Sequence, residues 1–242
     1  MLFRGSNEGT QRSALRDRLI FDHIGPTQAA VEFFYGLLMA MTLSNTLRLA
    51  LIGQPPDQIT FVITVAILGC NAAWGIADGA VNVLTSHYQN VYYYRLVKEI
   101  KDGKDHQAAR KLAAEVLSEA LTEIQENVLD EDSMQKMADV ALLAIRKREL
   151  VKPRVGPSHM KTAAWCVILN VLAALPFVLV YQLTPYINTT LVMLISNIAG
   201  AVLLFMIGSF LDRHLGDGQR RLGWIMVGLG LLMMSIIFML GG

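Results

Sequence analysis

The chain has 242 residues, 53% hydrophobic and 17% charged, with a formal charge of +1 and a mean hydropathy of +0.42; an ordinary soluble domain carries about 25% charged residues. That is too apolar for a water-soluble globule, and the near-neutral balance without a basic stripe excludes nucleic acid as a partner. Cys70 and Cys166 lie far apart in apolar stretches and give neither a disulfide framework nor the paired spacing of a zinc site.

A bilayer core of about 30 Å takes roughly 20 helical residues to cross. Residues 1–28 form an N-terminal segment with Arg4, Arg12, Arg16 and Arg18 and no apolar core before a cleavage site, so no cleavable signal is expected. Residues 29–84 hold two expected spans. The first is Ala29 to Ile52, ended by Gly53-Gln-Pro-Pro-Asp57, and the second runs from Ile59 to about Leu84. Residues 85–161 change to the composition of a soluble helical insert. There the second helix is expected to continue to about Gly103, a helix to run from Gln107 to about Val128, and another, with Asp130-Glu-Asp-Ser133 as its start signal, to form over Met134 to Leu150, with Pro153 and Pro157 closing the insert. Residues 162–242 carry three further spans: the stretch after Lys161 to Tyr181, Tyr186 to Leu211, and Leu222 to Leu240. The expected fold class is all-α, a polytopic membrane protein with five transmembrane helices and a cytoplasmic helical insert between helices 2 and 3; a β-barrel would need alternating strands instead.

Lys and Arg fix the orientation, because positively charged loops stay in the cytoplasm. Four precede the first span, thirteen lie between the second and third, and three lie between the fourth and fifth, so twenty of twenty-one fall on one side. Arg48, near the far end of the first span, would snorkel to that interface. The N-terminus is therefore read as cytoplasmic and the C-terminus as outside.

In the insert, Glu115, Glu119, Glu123 and Glu126 recur at steps of four, four and three on one helix face. Such a ladder offers hard oxygen ligands to a divalent ion, or is a solvated face opposite the apolar stripe. Within the spans an ionisable or amide side chain is costly and marks a functional site or a helix–helix hydrogen bond. Asn71, Trp74, Gly75, Asp78 and Asn82 recur at helical spacing on the second span, and Glu32, Tyr35, Gly36, Met39 and Thr46 supply a partner face on the first. Glu32 and Asp78 both fall roughly 10 to 12 Å to the cytoplasmic side of the midplane at 1.5 Å per residue. Two such acids close together repel unless a proton or a cation lies between them, which is what exchange of a divalent cation against protons requires. The other reading pairs either acid with a tyrosine, an asparagine or a base. Met39 and Asn71, near the midplane, would pass a borderline-soft ion such as Fe²⁺ or Mn²⁺. Asn170 and Asn197 would line the path or bond between helices, and Asp212 and Arg213 would form a local ion pair. No phosphate loop, nucleophile elbow or His-Glu-x-x-His helix occurs, so the chain is read as no enzyme and as holding no permanent cofactor.

Phe34-Tyr-Gly-Leu-Leu-Met-Ala-Met-Thr-Leu43, Leu68-Gly-Cys-Asn-Ala-Ala-Trp-Gly-Ile-Ala-Asp-Gly79, Ser196-Asn-Ile-Ala199 and the Gly-rich last span resemble the bacterial branch of the vacuolar iron transporter family. The resemblance implies five helices per protomer, a homodimer with a path near its axis, export of Fe²⁺ or Mn²⁺ from the cytoplasm against protons, and a cytoplasmic domain that collects metal. Where eukaryotic members carry Asn-Asp-Gly this chain has Phe34-Tyr-Gly36, so Glu32 would substitute, and Asp78 stands for the glutamate of the second span. These departures also admit a different class of function: a non-conducting membrane scaffold or regulatory protein whose insert binds a cytoplasmic partner.

Overall fold

A computed structural model describes residues 24–103, 105–120, 130–147, 149–215 and 221–239. Among these residues there are seven helices and no strand: α1 (Pro26–Ala50), α2 (Pro56–Asp102), α3 (His106–Ala120), α4 (Glu131–Lys147), α5 (Pro157–Tyr181), α6 (Thr189–Leu215) and α7 (Arg221–Met239). The chain divides into two compact units, Met1–Val83 with Pro157–Gly242, and Leu84–Gly156.

The first unit contains α1, α2 as far as Val83, and α5 to α7. Leu51 N donates to Leu47 O at the end of α1, and Gly53, at φ +85°, takes a left-handed turn that glycine alone adopts without strain. Pro56 then opens α2. Pro157, expected to close the insert, is instead the first residue of α5, because a proline costs nothing in a first turn whose N–H has no helical acceptor. α6 begins at Thr189, three residues after the expected start, where Asn188 Oδ1 accepts the Thr190 N–H at 2.7 Å.

Close contacts fix the helix directions. Gly36 meets Ala173 and Ser44 meets Tyr181, so α1 and α5 run parallel. On α2, Gly75 meets Val167 and Gly79 meets Ala163, so α2 runs against α5. Asn45 and Asn197 exchange amide hydrogen bonds at 2.8 and 3.1 Å while Met41 covers Gly200, so α6 runs against α1. Gly208 packs on Gly223 and Gly230 on Leu204, so α7 runs against α6. The apolar core of this unit includes Leu37, Ala40, Ile63, Ile67, Ala173, Phe177, Tyr181 and Leu204.

That core leaves much apolar surface uncovered: Phe61, Val65, Ile76 and Val81 on α2, Leu179 on α5, Ile198, Val202 and Met206 on α6, and Trp224, Ile225 and Leu232 on α7 are exposed. Each such side chain forgoes about 1.5–3 kcal/mol if it stays in water, so faces of this kind demand an apolar surrounding. Among the described residues three helical stretches are long and apolar enough to cross a membrane, Pro56–Asp102, Pro157–Tyr181 and Thr189–Arg213, and Arg221–Ile237 is apolar but shorter.

The second unit holds the last part of α2 together with α3 and α4. Ile100, Ala109, Ala113, Ala138 and Leu142 form its core. Arg110 and Asp139 tie α3 to α4 through a two-pronged ion pair, Nη2 to Oδ2 at 2.9 Å and Nε to Oδ1 at 2.6 Å. Asp130 caps α4 by accepting the Ser133 N–H at 2.9 Å, so the helix starts at Glu131, inside the start signal Asp130-Glu-Asp-Ser133, and it ends at Lys147, before Leu150. The hydrogen bonds from Ser133 hold the Asp130 carboxyl below the usual carboxylate range.

Glycine contacts give a direct test of the packing. A Cβ on Gly75 would lie 2.7 Å from Val167 Cα, whereas one on Gly228 of α7 meets nothing within 4 Å. Gly75→Val is expected to cost about 1–3 kcal/mol through overpacking, read as a lower melting midpoint of the detergent-solubilised protein. Gly228→Val is expected to leave the midpoint nearly unchanged.

Candidate functional site

Small residues decide where the polar side chains of the first unit meet. Gly36 on α1 and Gly75 and Gly79 on α2 admit the α5 backbone to a separation that no larger side chain allows. α5 therefore delivers Cys166 and Asn170, one turn apart, to the level of Glu32 on α1 and of Asp78 and Asn82, also one turn apart, on α2. Cys166 and Asn170 are fully buried, Glu32 is 3% exposed, and Asp78 and Asn82 are half-buried.

One carboxylate oxygen each from Glu32 and Asp78 and the Sγ of Cys166 all lie within 4.8 Å of one another. The Nδ2 of Asn82 donates to all three, to Asp78 Oδ2 at 3.2 Å, Glu32 Oε1 at 3.3 Å and Cys166 Sγ at 3.6 Å. An NH₂ group has two hydrogens, so three acceptors share what two can satisfy. The Cys166 thiol also donates to Glu32 Oε1 at 3.6 Å. Asn170 Nδ2 donates to Glu32 Oε2 at 3.1 Å and to the Cys166 carbonyl at 3.0 Å, while its own buried Oδ1 accepts nothing.

Electrostatics sets what this arrangement can do. Two like unit charges 4.8 Å apart repel by roughly 3.5 kcal/mol at an effective dielectric near 20. Amide dipoles offset only part of that. A proton or a cation between the two carboxyl groups removes the repulsion. Around a divalent metal with ligand bonds of about 2.0–2.3 Å, neighbouring donor atoms stand roughly 3–3.7 Å apart, so the observed group closes on an ion with side-chain shifts of an ångström or so. Searched against protein-family models, curated proteins and solved structures, the chain matches none.

Only some of the residues singled out in the sequence come together. Glu32, Asp78 and Asn82 come together as described. Asn71, two turns from Asp78 on α2, is fully buried, donates to Ile67 O at 2.9 Å and leaves Oδ1 without a partner, making no hydrogen bond to the carboxylates. Met39 is half-buried two turns from Glu32. Trp74, placed on the polar seam by its spacing, is 47% exposed and turned away from it. Glu115 is exposed on α3; Glu123 and Glu126 lie outside the described residues, as does the Glu119 side chain, and so do Arg4, Arg12, Arg16 and Arg18. Asn197 bonds to Asn45 between helices. Asp212 is buried with no partner for Oδ2, in place of the local ion pair expected with Arg213. Arg48 Nη2 donates to Thr189 Oγ1 at 2.6 Å and so clamps α1 to the start of α6.

Sequence reasoning missed Cys166 as a member of the site and gave Asn170 no particular partner. Their step of four on one face, among the small residues Ala163, Ala173 and Ala174, is the signal that marks that face as a close-packed one.

If Glu32 and Asn170 interact as placed, Asn170→Leu leaves a buried carboxyl short of a donor and destabilises the protein by about 1–3 kcal/mol. In the Glu32→Leu background the same substitution is expected to cost less by roughly 0.5–3 kcal/mol, a coupling that a double-mutant cycle of detergent unfolding midpoints measures.

Proposed function

We propose that the protein is an integral membrane protein that exports a divalent transition metal, Fe²⁺ or Mn²⁺, from the cytoplasm in exchange for protons, with Glu32 and Asp78 as the carboxylates that hold ion or proton in turn. The observation that carries this reading is the convergence of the two acids and Cys166 within 4.8 Å in the first unit. A group that alternates between a shared proton and a divalent ion needs two acids this close and shielded from bulk water.

Five spans are favoured by the alternating helix directions. α1, α5 and α7 run one way and α2 and α6 the other, as serial crossings require. α7, at 19 residues, is about 28 Å long at 1.5 Å per residue, close to a bilayer core. The distribution of Lys and Arg favours a cytoplasmic N-terminus, a cytoplasmic insert and an outside C-terminus. The resemblance to the vacuolar iron transporter family favours a homodimer, and Gly69, Ala73 and Ala77, exposed at steps of four on α2, would let a second copy approach closely.

One observation favours the non-conducting scaffold. Beyond Asn170 the bundle is filled by Leu37, Ala40, Ile63, Ile67 and Phe177, each essentially without exposure. A transporter must open this plug, and a scaffold need not.

Proteoliposome flux separates the two. The wild type is expected to carry Mn²⁺ and Fe²⁺, with at least a tenfold loss in Asp78→Asn and in Glu32→Gln, the scale at which metal-ligand environments respond to single changes. Unchanged flux in both variants would show the site to be wrongly assigned, and no flux in the wild type would favour the scaffold.

A further inference from the structure

Building on the carboxylate site just proposed, we infer that Cys166 and Asn170 of α5 are additional ligands of the bound ion, and that the Cys166 sulfur makes the site select thiophilic transition metals over Mg²⁺ and Ca²⁺. Glu32 and Asp78 alone are hard oxygen ligands, a set that also suits Mg²⁺, Ca²⁺ and Mn²⁺. A sulfur ligand changes that order, because thiolates bind borderline and soft ions far better than alkaline earths.

The position of Cys166 fits a ligand better than a packing residue. Cys166 belongs to a small apolar cluster with Ile24 and Ala29, yet a cysteine that only fills space has no polar neighbours, and this Sγ lies 3.6 Å from Glu32 Oε1 and 3.6 Å from Asn82 Nδ2. The three candidate ligand atoms surround one point, and the Asn82 Nδ2 stands within 3.2–3.6 Å of each of them. That NH₂ group, whose hydrogens carry partial positive charge, stands where a cation would sit. A metal entering there displaces the amide and takes the place of the thiol proton.

Asn170 supplies the independent sign that a ligand belongs here. Its amide head is completely buried and directed at Glu32, with Nδ2 at 3.1 Å from Oε2, yet its Oδ1 accepts no hydrogen bond. A buried acceptor without a partner costs about 1–3 kcal/mol. Rotation of the amide by half a turn exchanges N and O, and so presents that oxygen to a cation held between Glu32, Asp78 and Cys166. The Gly75 and Gly79 contacts with Val167 and Ala163 hold the α5 backbone in place on both sides of Cys166, so the sulfur is presented by a rigid element.

The test is metal binding to the purified full-length protein in detergent, using Cd²⁺, Co²⁺, Mn²⁺ and Mg²⁺ alone as probes. Wild-type protein loaded with Co²⁺ is expected to gain a thiolate-to-cobalt charge-transfer band in the near ultraviolet. Cys166→Ser, which keeps the volume and a hydrogen-bonding group, is expected to lose that band and to bind Cd²⁺ at least tenfold more weakly while Mn²⁺ affinity changes less than threefold. Asn170→Ala is expected to weaken Cd²⁺ and Mn²⁺ alike. Melting of the metal-free variants checks that they are folded. Cobalt bound without a charge-transfer band, or an equal loss of Cd²⁺ and Mn²⁺ in Cys166→Ser, overturns the inference. In those cases loss of Mn²⁺ binding in Glu32→Gln would leave the carboxylate site standing, whereas metal binding untouched in both Glu32→Gln and Asp78→Asn overturns that site and this inference together.

Discussion

Two carboxylates from different helices lie within 4.8 Å of each other inside an otherwise apolar bundle, and most of the first unit can be read as the means of holding them there. Neither acid has a basic partner among the described ion pairs, which join only Arg110 with Asp139 and Lys136 with Asp132 in the second unit. Their charge is met by dipoles alone: the Asn82 and Asn170 amides and the Cys166 thiol. Amide dipoles stabilise an anion without neutralising it, so the site retains an affinity for something positive. That is the property a carrier of cations needs, and a structural salt bridge would abolish it.

The close approach of helices at Gly36, Gly75 and Gly79 makes this possible. In a bilayer there is no hydrophobic gain from helix association, so packing of small residues and hydrogen bonds between helices hold the bundle together. Here the same contacts set the distance between α2 and α5 and bring Cys166 to Glu32 across 134 positions of sequence. At the other end of α1, the Asn45–Asn197 amide pair and the Arg48–Thr189 bond fasten α6. Between the two polar ends lies the apolar core around Leu37 and Phe177, which separates them.

What the sequence reveals depends on whether the information is local. Glu32 and Asp78 were legible as a pair because each is a lone acid in an apolar run and both fall at similar depth in their helices. Asn82 followed from its step of four. Trp74 was misplaced because steps of three and four accumulate angle: at 100° per residue it lies about 70° from the mean direction of Asn71, Gly75, Asp78 and Asn82, enough to turn a large ring outward. Pro157 reads as a breaker in isolation, yet its effect depends on whether it begins a helix. Cys166 was not legible from its own surroundings, since a single cysteine in an apolar stretch looks like core, and only the register of α5 on α2 places it beside two acids. The acidic ladder from Glu115 to Glu126 is legible as a helix face, but a face alone does not distinguish ligands from solvated charges.

The site thus combines a sequence signal, two lone acids in apolar helices, with a structural one, a thiol and two amides converging on them. Crystals of the full-length protein grown with Mn²⁺ or Co²⁺ and measured at the metal absorption edge test this most directly. An anomalous peak is expected within ligand distance of Glu32 and Asp78 carboxylate oxygens and of Cys166 Sγ, with the Asn82 amide displaced. Fully occupied metal elsewhere in the protein, with Asn82 Nδ2 still seated between the two carboxylates, would contradict it.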